Sequence, residues 1–264
     1  MPSTIQIIDS QVARFNTQMT RVIRNMSTFL NSSIKLTTEA GLIIPVAENF
    51  DNVAIVAGEL IDQLTESGYF KLINEFSQNN SDFSVQQIKE MGKRFKGAST
   101  YFGAIEGTTL DGLKNMQYSG MASLGQNSMA SISTALYDSV LSGTSNNQLV
   151  QRLTKELGKL SQHAETYVRT AKREYSQQTE FEIARAAGID KGDTIWEYIG
   201  APLQDNSHKE CIWAITEKIH APFFTTAEME EFQAGGGLDH TEPRWNCQHI
   251  FGITDMTVEE YEEV

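Results

Sequence analysis

Apolar residues recur every three or four positions along most of the first 190 residues, which is the period of an α-helix. No glycine or proline interrupts residues 3–34, and the apolar stripe in that segment predicts one long amphipathic helix. Residues 46–64 carry a second stripe, with Pro45 expected in the first turn of the helix and Gly68 as its C-terminal stop. The chain is therefore predicted to begin with at least two helices.

The helical pattern continues to about residue 188. Residues 70–76 predict a short continuation, and Ser84 is suited to cap a helix that carries Val85, Ile88, Met91 and Phe95. Residues 108–141 keep the apolar spacing but are rich in Gly, Ser, Ala and Met, which predicts one long or broken helix buried between others. A leucine stripe over residues 149–160 predicts the next helix, and residues 164–188 predict a further one.

After Gly188 the pattern changes to short and varied elements. Ile195–Ile199 alternate like a half-buried strand, and Ile250–Ile253 are suited to a closing strand. Residues 225–232 resemble a capped helix with acids in its first turns, and Gly235–Gly237 is interpreted as a flexible loop. The predicted fold class is mainly α: a long helical N-terminal region followed by a small loop-rich α+β C-terminal domain. The predicted boundaries are a helical region at 1–160, a connecting helix at 161–190 and the small domain with an acidic tail at 191–264.

Composition narrows the functional classes. The 264 residues are enough for one large domain or two modest ones. The longest apolar runs, 41–47 and 53–57, fall far short of the ~20 residues that span a bilayer, and no charged-then-apolar leader is visible. We therefore expect no membrane contact and synthesis in the cytoplasm. Two cysteines are too few for a disulfide framework.

Charge is unevenly distributed along the chain. Residues 1–191 hold 18 Lys+Arg against 19 Asp+Glu, whereas residues 192–264 hold 3 against 15, a net charge of −12. A segment this acidic lacks the basic surface that nucleic acid binding requires. We therefore do not expect it to contact DNA. The end of the chain, Glu259–Val264, is interpreted as a solvated tail rather than a docking peptide for a basic partner. The basic–aromatic cluster at Lys93–Lys96 is interpreted as an exposed helix end rather than a DNA contact.

Both cysteines lie in the C-terminal part, each close to a histidine. His208 and Cys211 have the spacing His-x-x-Cys, and about 35 residues later Cys247 and His249 read Cys-x-His. Four nitrogen and sulfur ligands on two short segments are typical of a structural zinc site, and a small domain gains stability from such a site. Two alternatives stay open at this stage. They are buried, hydrogen-bonded thiols without a metal, and a Cys211–Cys247 disulfide, which a reducing compartment disfavours.

A catalytic role for these residues is the less favoured interpretation. A Cys–His pair oriented by Asn246 or Asp205 would resemble a thiol nucleophile, but no cysteine-protease signature surrounds it. Asp205 also fits a simple turn, and Gly235–Gly237 lacks the lysine and the strand–helix context of a phosphate loop. The remaining histidines (His163, His220 and His240) are assigned to surface or packing positions, and Trp196 and Trp245 to the core of the small domain.

The same region carries a resemblance to a known family. The positions concerned are Trp196, Tyr198, Gly200, Asp205, Cys211, Phe224, Asn246, Cys247 and His249. A tryptophan-led strand, an aspartate, a cysteine and a late Asn-Cys-x-His resemble the C-terminal domain of phage minor head proteins, the Mu F-like or head morphogenesis family. The resemblance covers roughly residues 164–251. This chain has Asn206-Ser207 where the family usually has Arg-Thr, and Gln248 where it usually has Arg, so no role of those basic residues is carried over.

The resemblance implies a non-enzymatic virion protein of a tailed bacteriophage. Such a protein is made in the host cytoplasm and lies at the portal vertex or head interior. It takes part in head assembly and in some members leaves with the DNA. The implied partners are the portal protein and the major capsid protein, and self-association stays open. The alternative from a different class is a phage-delivered zinc- or thiol-dependent enzyme, such as a nuclease-like or peptidase-like effector. A helical scaffold unrelated to virions is a third and weaker hypothesis.

Overall fold

The structure is a computed structural model that describes residues 4–79, 107–187, 194–200, 209–234, 249–254 and 256–263. Long helices make up most of it, and a few short strands lie near the C-terminal end. The predicted fold class, mainly α with a small α+β region at the C-terminal end, is confirmed. The predicted helix after Ser84, the basic cluster Lys93–Lys96 and the loop Gly235–Gly237 lie outside the described residues.

Helix α1 (Thr4–Ser33) is the predicted N-terminal helix in one piece. Its buried face consists of Ile8, Val12, Phe15, Met19, Val22, Met26 and Leu30. Intervals of three and four residues keep these side chains on one side of the helix, so a single apolar stripe is withdrawn from water. The absence of glycine and proline leaves its backbone hydrogen bonding uninterrupted.

A small hairpin follows α1, and the sequence pattern did not predict it. Strands β1 (Thr38–Glu39) and β2 (Leu42–Ile43) pair in an antiparallel arrangement. The fully buried Asn49 holds the hairpin against the next helix. Its side-chain oxygen accepts a hydrogen bond from the Thr37 N–H at 2.7 Å, and its nitrogen donates to the carbonyls of Thr37 and Ile44, each at 2.8 Å. One amide side chain thus satisfies three backbone groups.

Helix α2 (Ala47–Glu66) and helix α3 (69–79) follow the hairpin. The predicted stop at Gly68 is confirmed, because Gly68 has a φ of +95°, which glycine adopts without strain. Pro45 lies just before the first turn of α2 rather than inside it, since Val46 is the N-cap residue. The short helical continuation predicted after Gly68 corresponds to α3.

Helix α4 (Gly107–Ser142) is the small-residue segment, and it is one unbroken helix. Tyr69 is fully buried against it and donates a hydrogen bond to the carbonyl of Met121 at 2.6 Å. A methyl group added at Gly125 would lie 2.5 Å from a ring carbon of Tyr69. The helix therefore accommodates the tyrosine ring only because position 125 has no side chain.

Helix α5 (Asn146–Ala187) corrects one element of the prediction, because the two helices expected between residues 149 and 188 are a single helix of 42 residues. Its buried stripe continues without a break through Leu149, Leu153, Leu157, Leu160, Ala164, Val168, Ala171 and Tyr175. Residues 161–163 carry no glycine or proline that would end a helix between the two predicted segments.

The C-terminal part contains a three-stranded antiparallel sheet in the order β4-β3-β5. Its strands are β3 (Ile195–Gly200), β4 (Phe223–Thr225) and β5 (His249–Ile253), and the predicted strands 195–199 and 250–253 are thereby confirmed. The accompanying helices are α6 (Lys209–Ile212), a π-helix (Trp213–Glu217), α7 (Thr226–Ala234) and α8 (Val258–Glu262). Strand β4 and helix α8 were not predicted.

The described residues form two compact units. Residues 11–77 and 115–166 form one, which consists of helices and the hairpin. Residues 4–10, 78–79, 107–114 and the described part of 167–263 form the other, which contains the sheet. Across the described ranges, no helix is both long and apolar enough to cross a lipid bilayer.

Candidate functional site

The sheet is organised around an aromatic core that includes Trp196 and Tyr198 of β3. Trp196 is 1% exposed, its ring meets Phe181 of α5 edge-on at 5.1 Å, and its indole N–H donates to the hydroxyl of Thr226 at 3.1 Å. The Tyr198 ring lies 4.8 Å from that of Phe251 on β5. The core is completed by Ala184, Cys211, Ala214, Phe224, Met229, Phe232 and Ile253. The prediction that Trp196 packs the core of this domain is confirmed.

Cys211 is part of this core. It lies on α6, is 1% exposed, and its sulfur is 3.5 Å from the hydroxyl of Tyr198. Cys247 lies outside the described residues, so the structure does not test the Cys211–Cys247 disulfide. A thiol enclosed by aromatic rings is sheltered from solvent and from substrates, which suits a structural role better than a nucleophilic one.

Two of the four predicted zinc ligands, His208 and Cys247, lie outside the described residues, as do Asp205 and Asn246. His249 is the first residue of β5, and its backbone pairs with Gly200 at the end of β3. The segment that carries His208 begins after Gly200, and Cys247 lies just before β5, so both predicted ligand segments join the sheet at the same end. The four-ligand zinc centre stays a prediction. In the part of the chain that the structure describes, no three His, Cys, Asp or Glu side chains cluster as metal ligands.

A polar cluster that was not predicted from the sequence links three elements of the same unit. The ammonium group of Lys218 lies 3.1 Å from a carboxylate oxygen of Glu228 on α7 and 3.2 Å from the hydroxyl of Tyr261 on α8. Tyr261 donates to the other carboxylate oxygen of Glu228 at 2.7 Å. Lys218 also donates to the carbonyls of Ile219 and Phe223 at 2.8 and 3.0 Å. We call Lys218, Glu228 and Tyr261 the C-terminal clamp.

The electrostatics of the clamp follow from its contacts. Burial tends to raise the pKa of Glu228, but hydrogen bonds from the Thr225 backbone, Tyr261 and Lys218 outweigh burial and hold this pKa below its ordinary value. Burial and the neighbouring Glu228 carboxylate raise the pKa of Tyr261, so its hydroxyl stays protonated and donates. Glu228 also completes the predicted cap of α7, because its backbone N–H donates to the Thr225 hydroxyl at 3.2 Å while its carboxylate accepts from the Thr225 N–H at 2.8 Å.

The clamp corrects the interpretation of the acidic end as a solvated tail. Thr257 and Glu260 form a capping box that starts α8, and the Tyr261 side chain is 6% exposed and held by the clamp. His220, predicted to be a packing or surface residue, lies with its ring 4.5 Å from that of Tyr261. The three N–H donors of Lys218 face four acceptors, so none is left over for a substrate. The clamp is therefore a structural fastening of the C-terminal helix.

Comparison with known proteins gives no match to any family model, curated protein or solved structure.

A cleft lies beside the clamp and opens to solvent. Its volume is about 460 Å³. Trp213 supplies exposed aromatic surface, backed by the buried rings of Phe224 and Phe232. Glu217, Ile219 and Glu231 also line the cleft. Lys218 and Glu228 of the clamp border the same space. We call this feature the acid–aromatic cleft. Lys218 and Glu228 at its border already bind one another.

Proposed function

We propose that this chain is a non-enzymatic minor head protein of a tailed bacteriophage, associated with the portal or with the inner capsid surface. One observation supports the proposal more than any other. Trp196, Tyr198, Cys211 and Phe224, four of the positions on which the resemblance rests, come from three separate segments and lie in one buried core. These residues pack against one another, as the residues of a structural module do. The residues of a catalytic site instead place reactive groups within reach of a substrate.

In this proposal the Cys/His region stabilises the folded C-terminal module. A zinc ion held by His208, Cys211, Cys247 and His249 would fasten two chain segments that join the sheet at the same end. When bound, the zinc ion supplies folding free energy to a small module. The Tyr198 hydroxyl, 3.5 Å from the Cys211 sulfur, is placed to donate a hydrogen bond to a metal-bound thiolate. The burial of Cys211 argues against the alternative of a thiol-dependent enzyme.

Charge supports a protein partner over a nucleic acid partner for the C-terminal part. With a net charge of −12, residues 192–264 repel the phosphate backbone of packaged DNA and are suited to face a protein surface. The long helices α1, α4 and α5, of 30, 36 and 42 residues, offer extended surfaces for contacts with the portal or capsid. Co-ejection with the DNA belongs to the same proposal.

The test is the copy number of the chain in purified particles of the phage that encodes it. Quantitative mass spectrometry with isotope-labelled peptides would measure its ratio to portal and major capsid proteins. We expect a few to a few tens of copies per particle. The same measurement after osmotic release of the DNA would show whether the chain leaves with the genome. Absence of the chain from particles that contain both partners would contradict the proposal.

A further inference from the structure

The acid–aromatic cleft has features that packing alone does not require. Trp213 is 39% exposed and lies stacked on Phe232, with ring centroids 5.9 Å apart and planes inclined by 13°. Ile219, at the same cleft, is 79% exposed. Covering large apolar side chains removes them from water, which is favourable. Two such side chains beside one cleft therefore form a surface that a bound partner would stabilise.

The charge of the cleft indicates the chemistry of that partner. Glu217 and Glu231 line the cleft and are exposed. Among the residues that the structure describes, neither carboxylate forms an ion pair, because Lys218 is engaged by Glu228. Three glutamates and one lysine give the lining a net charge of −2. The cleft is thus aromatic in its wall and negative at its rim.

One cation of this unit already lies against an aromatic ring beside the cleft. The ammonium group of Lys218 lies 4.6 Å from the centroid of the Phe224 ring. A positive group against an aromatic face is attracted by the negative charge of the ring surface, and nearby carboxylates add to that attraction. The exposed indole of Trp213, with Glu217 and Glu231 around the same cleft, offers a second site for a cation. Tryptophan is the aromatic residue that attracts cations most strongly.

We propose that the acid–aromatic cleft binds an arginine-bearing segment of a partner protein. The planar guanidinium stacks on the Trp213 indole and reaches the carboxylates of Glu217 and Glu231, while an apolar neighbour of the arginine covers Ile219. Arginine fits better than lysine because its planar group stacks on aromatic rings and loses its hydration more easily. A nucleic acid would be repelled by the net charge of −12 in residues 192–264. This inference does not depend on the chain being a virion protein.

The test uses the full chain and a defined probe, the acetylated and amidated peptide Gly-Arg-Leu-Arg-Gly. Its matched control replaces both arginines by citrulline, which keeps the shape and removes the charge. The chain has three tryptophans, so a ¹⁵N spectrum of the indole groups has three signals, and Trp213→Phe and Trp196→Phe assign two of them. We expect the arginine peptide to shift the Trp213 signal and to leave the signal of the buried Trp196 unchanged. The citrulline peptide should bind at least about fivefold more weakly, because cation–π attraction and ion pairing require the charge.

Two variants distinguish the cleft from general attraction to an acidic protein. Glu217→Gln with Glu231→Gln removes two charges at the cleft, and Glu259→Gln with Glu262→Gln removes the same number from the exposed side of α8. We expect the first pair to weaken peptide binding about three- to tenfold and the second pair to change it less than twofold. Trp213→Ala should weaken binding by a similar factor, with circular dichroism as the control for folding.

Three results would overturn the inference. They are no shift of the Trp213 signal with the arginine peptide, equal binding of the citrulline peptide, and equal losses from the two charge-removing pairs. The glutamine variants change exposed side chains only, so the comparison holds even if Trp213→Ala fails to fold. Copy number in particles is a separate measurement, and failure of either proposal leaves the other standing.

Discussion

Gly125 is a residue whose missing side chain determines how two helices meet. An added Cβ would lie 2.5 Å from one ring carbon of Tyr69 and 3.1 Å from a methyl group of Leu64. The Tyr69 ring cannot move aside easily, because its hydroxyl is bonded to the carbonyl of Met121. We therefore expect Gly125→Ala to lower the free energy of unfolding by about 1–3 kcal/mol, as overpacking does.

The matched control is Gly158→Ala in α5 of the same unit. An added Cβ at position 158 meets nothing within 4 Å, so helix propensity alone acts, and we expect a gain of up to about 1 kcal/mol. Urea unfolding followed by circular dichroism at 222 nm measures both variants. Equal effects of the two substitutions would mean that α4 does not approach Tyr69 as closely as the structure shows.

Cys211 gives a second test at the scale of the residue, because its burial and the proposed zinc centre predict different responses. If zinc is bound, purified chain carries one metal ion, and EDTA lowers its melting temperature. Cys211→Ser then loses the metal and melts low with or without EDTA. Metal content by mass spectrometry and melting by calorimetry give both readouts. A metal-free wild type that is insensitive to EDTA would favour the alternative of a buried thiol beside Tyr198.

Elements could be predicted from the sequence where their signal is local. The stripe of α1 and the alternation of β3 need no partner to be recognised, and both were predicted. Strand β4 spans three residues, Phe223–Thr225, and exists because β3 lies beside it. Helix α8 has a readable capping box, but the burial of Tyr261 depends on Lys218, 43 positions away, and on Glu228, 33 positions away. Such long-range contacts are invisible to a local pattern.

The attachment of α8 through the C-terminal clamp gives a prediction at the scale of the element. Tyr261→Phe keeps the ring but removes the hydroxyl that bonds Glu228 and Lys218, so we expect a loss of about 1–2 kcal/mol in unfolding free energy at pH 7. Glu262→Gln on the same helix changes an exposed residue and should stay within about 0.5 kcal/mol of wild type. Loss of equal size in both variants would contradict the clamp.

The clamp also predicts how stability depends on pH. The pKa of Glu228 is lower in the folded chain than its ordinary value of 4.5, so the ionised carboxylate stabilises the fold. That contribution is fully present above pH 4.5 and is lost as the pH falls through the lowered pKa. Tyr261→Phe removes one of the bonds that lower this pKa, so its deficit relative to wild type should shrink on acidification. Unfolding curves at several pH values between neutrality and acid measure the difference.

At the scale of the whole molecule, the candidate site was predictable only in part. The paired Cys/His spacing and Trp196 directed attention to the unit that contains the sheet, because metal ligands and aromatic residues stand out in any sequence. The acid–aromatic cleft was missed, since Trp213, Phe232 and Glu231 converge only after the π-helix and α7 pack on the sheet. The single long helix α5 was missed for a local reason. The apolar pattern is weak at residues 161–163, and this was interpreted as a break between two helices.

The distribution of charge leads to a last prediction for the full chain. Non-specific DNA binding needs lysines and arginines that displace counterions from phosphates. The chain has a net charge of −13, and residues 1–191 contribute only −1 of it, so neither part offers a basic excess. We therefore expect no binding of a short fluorescent duplex in anisotropy titrations, even at about 50 mM NaCl, where such binding is strongest. Binding that weakens steeply with added salt would contradict this expectation and would direct attention to Lys93–Lys96 as a DNA contact.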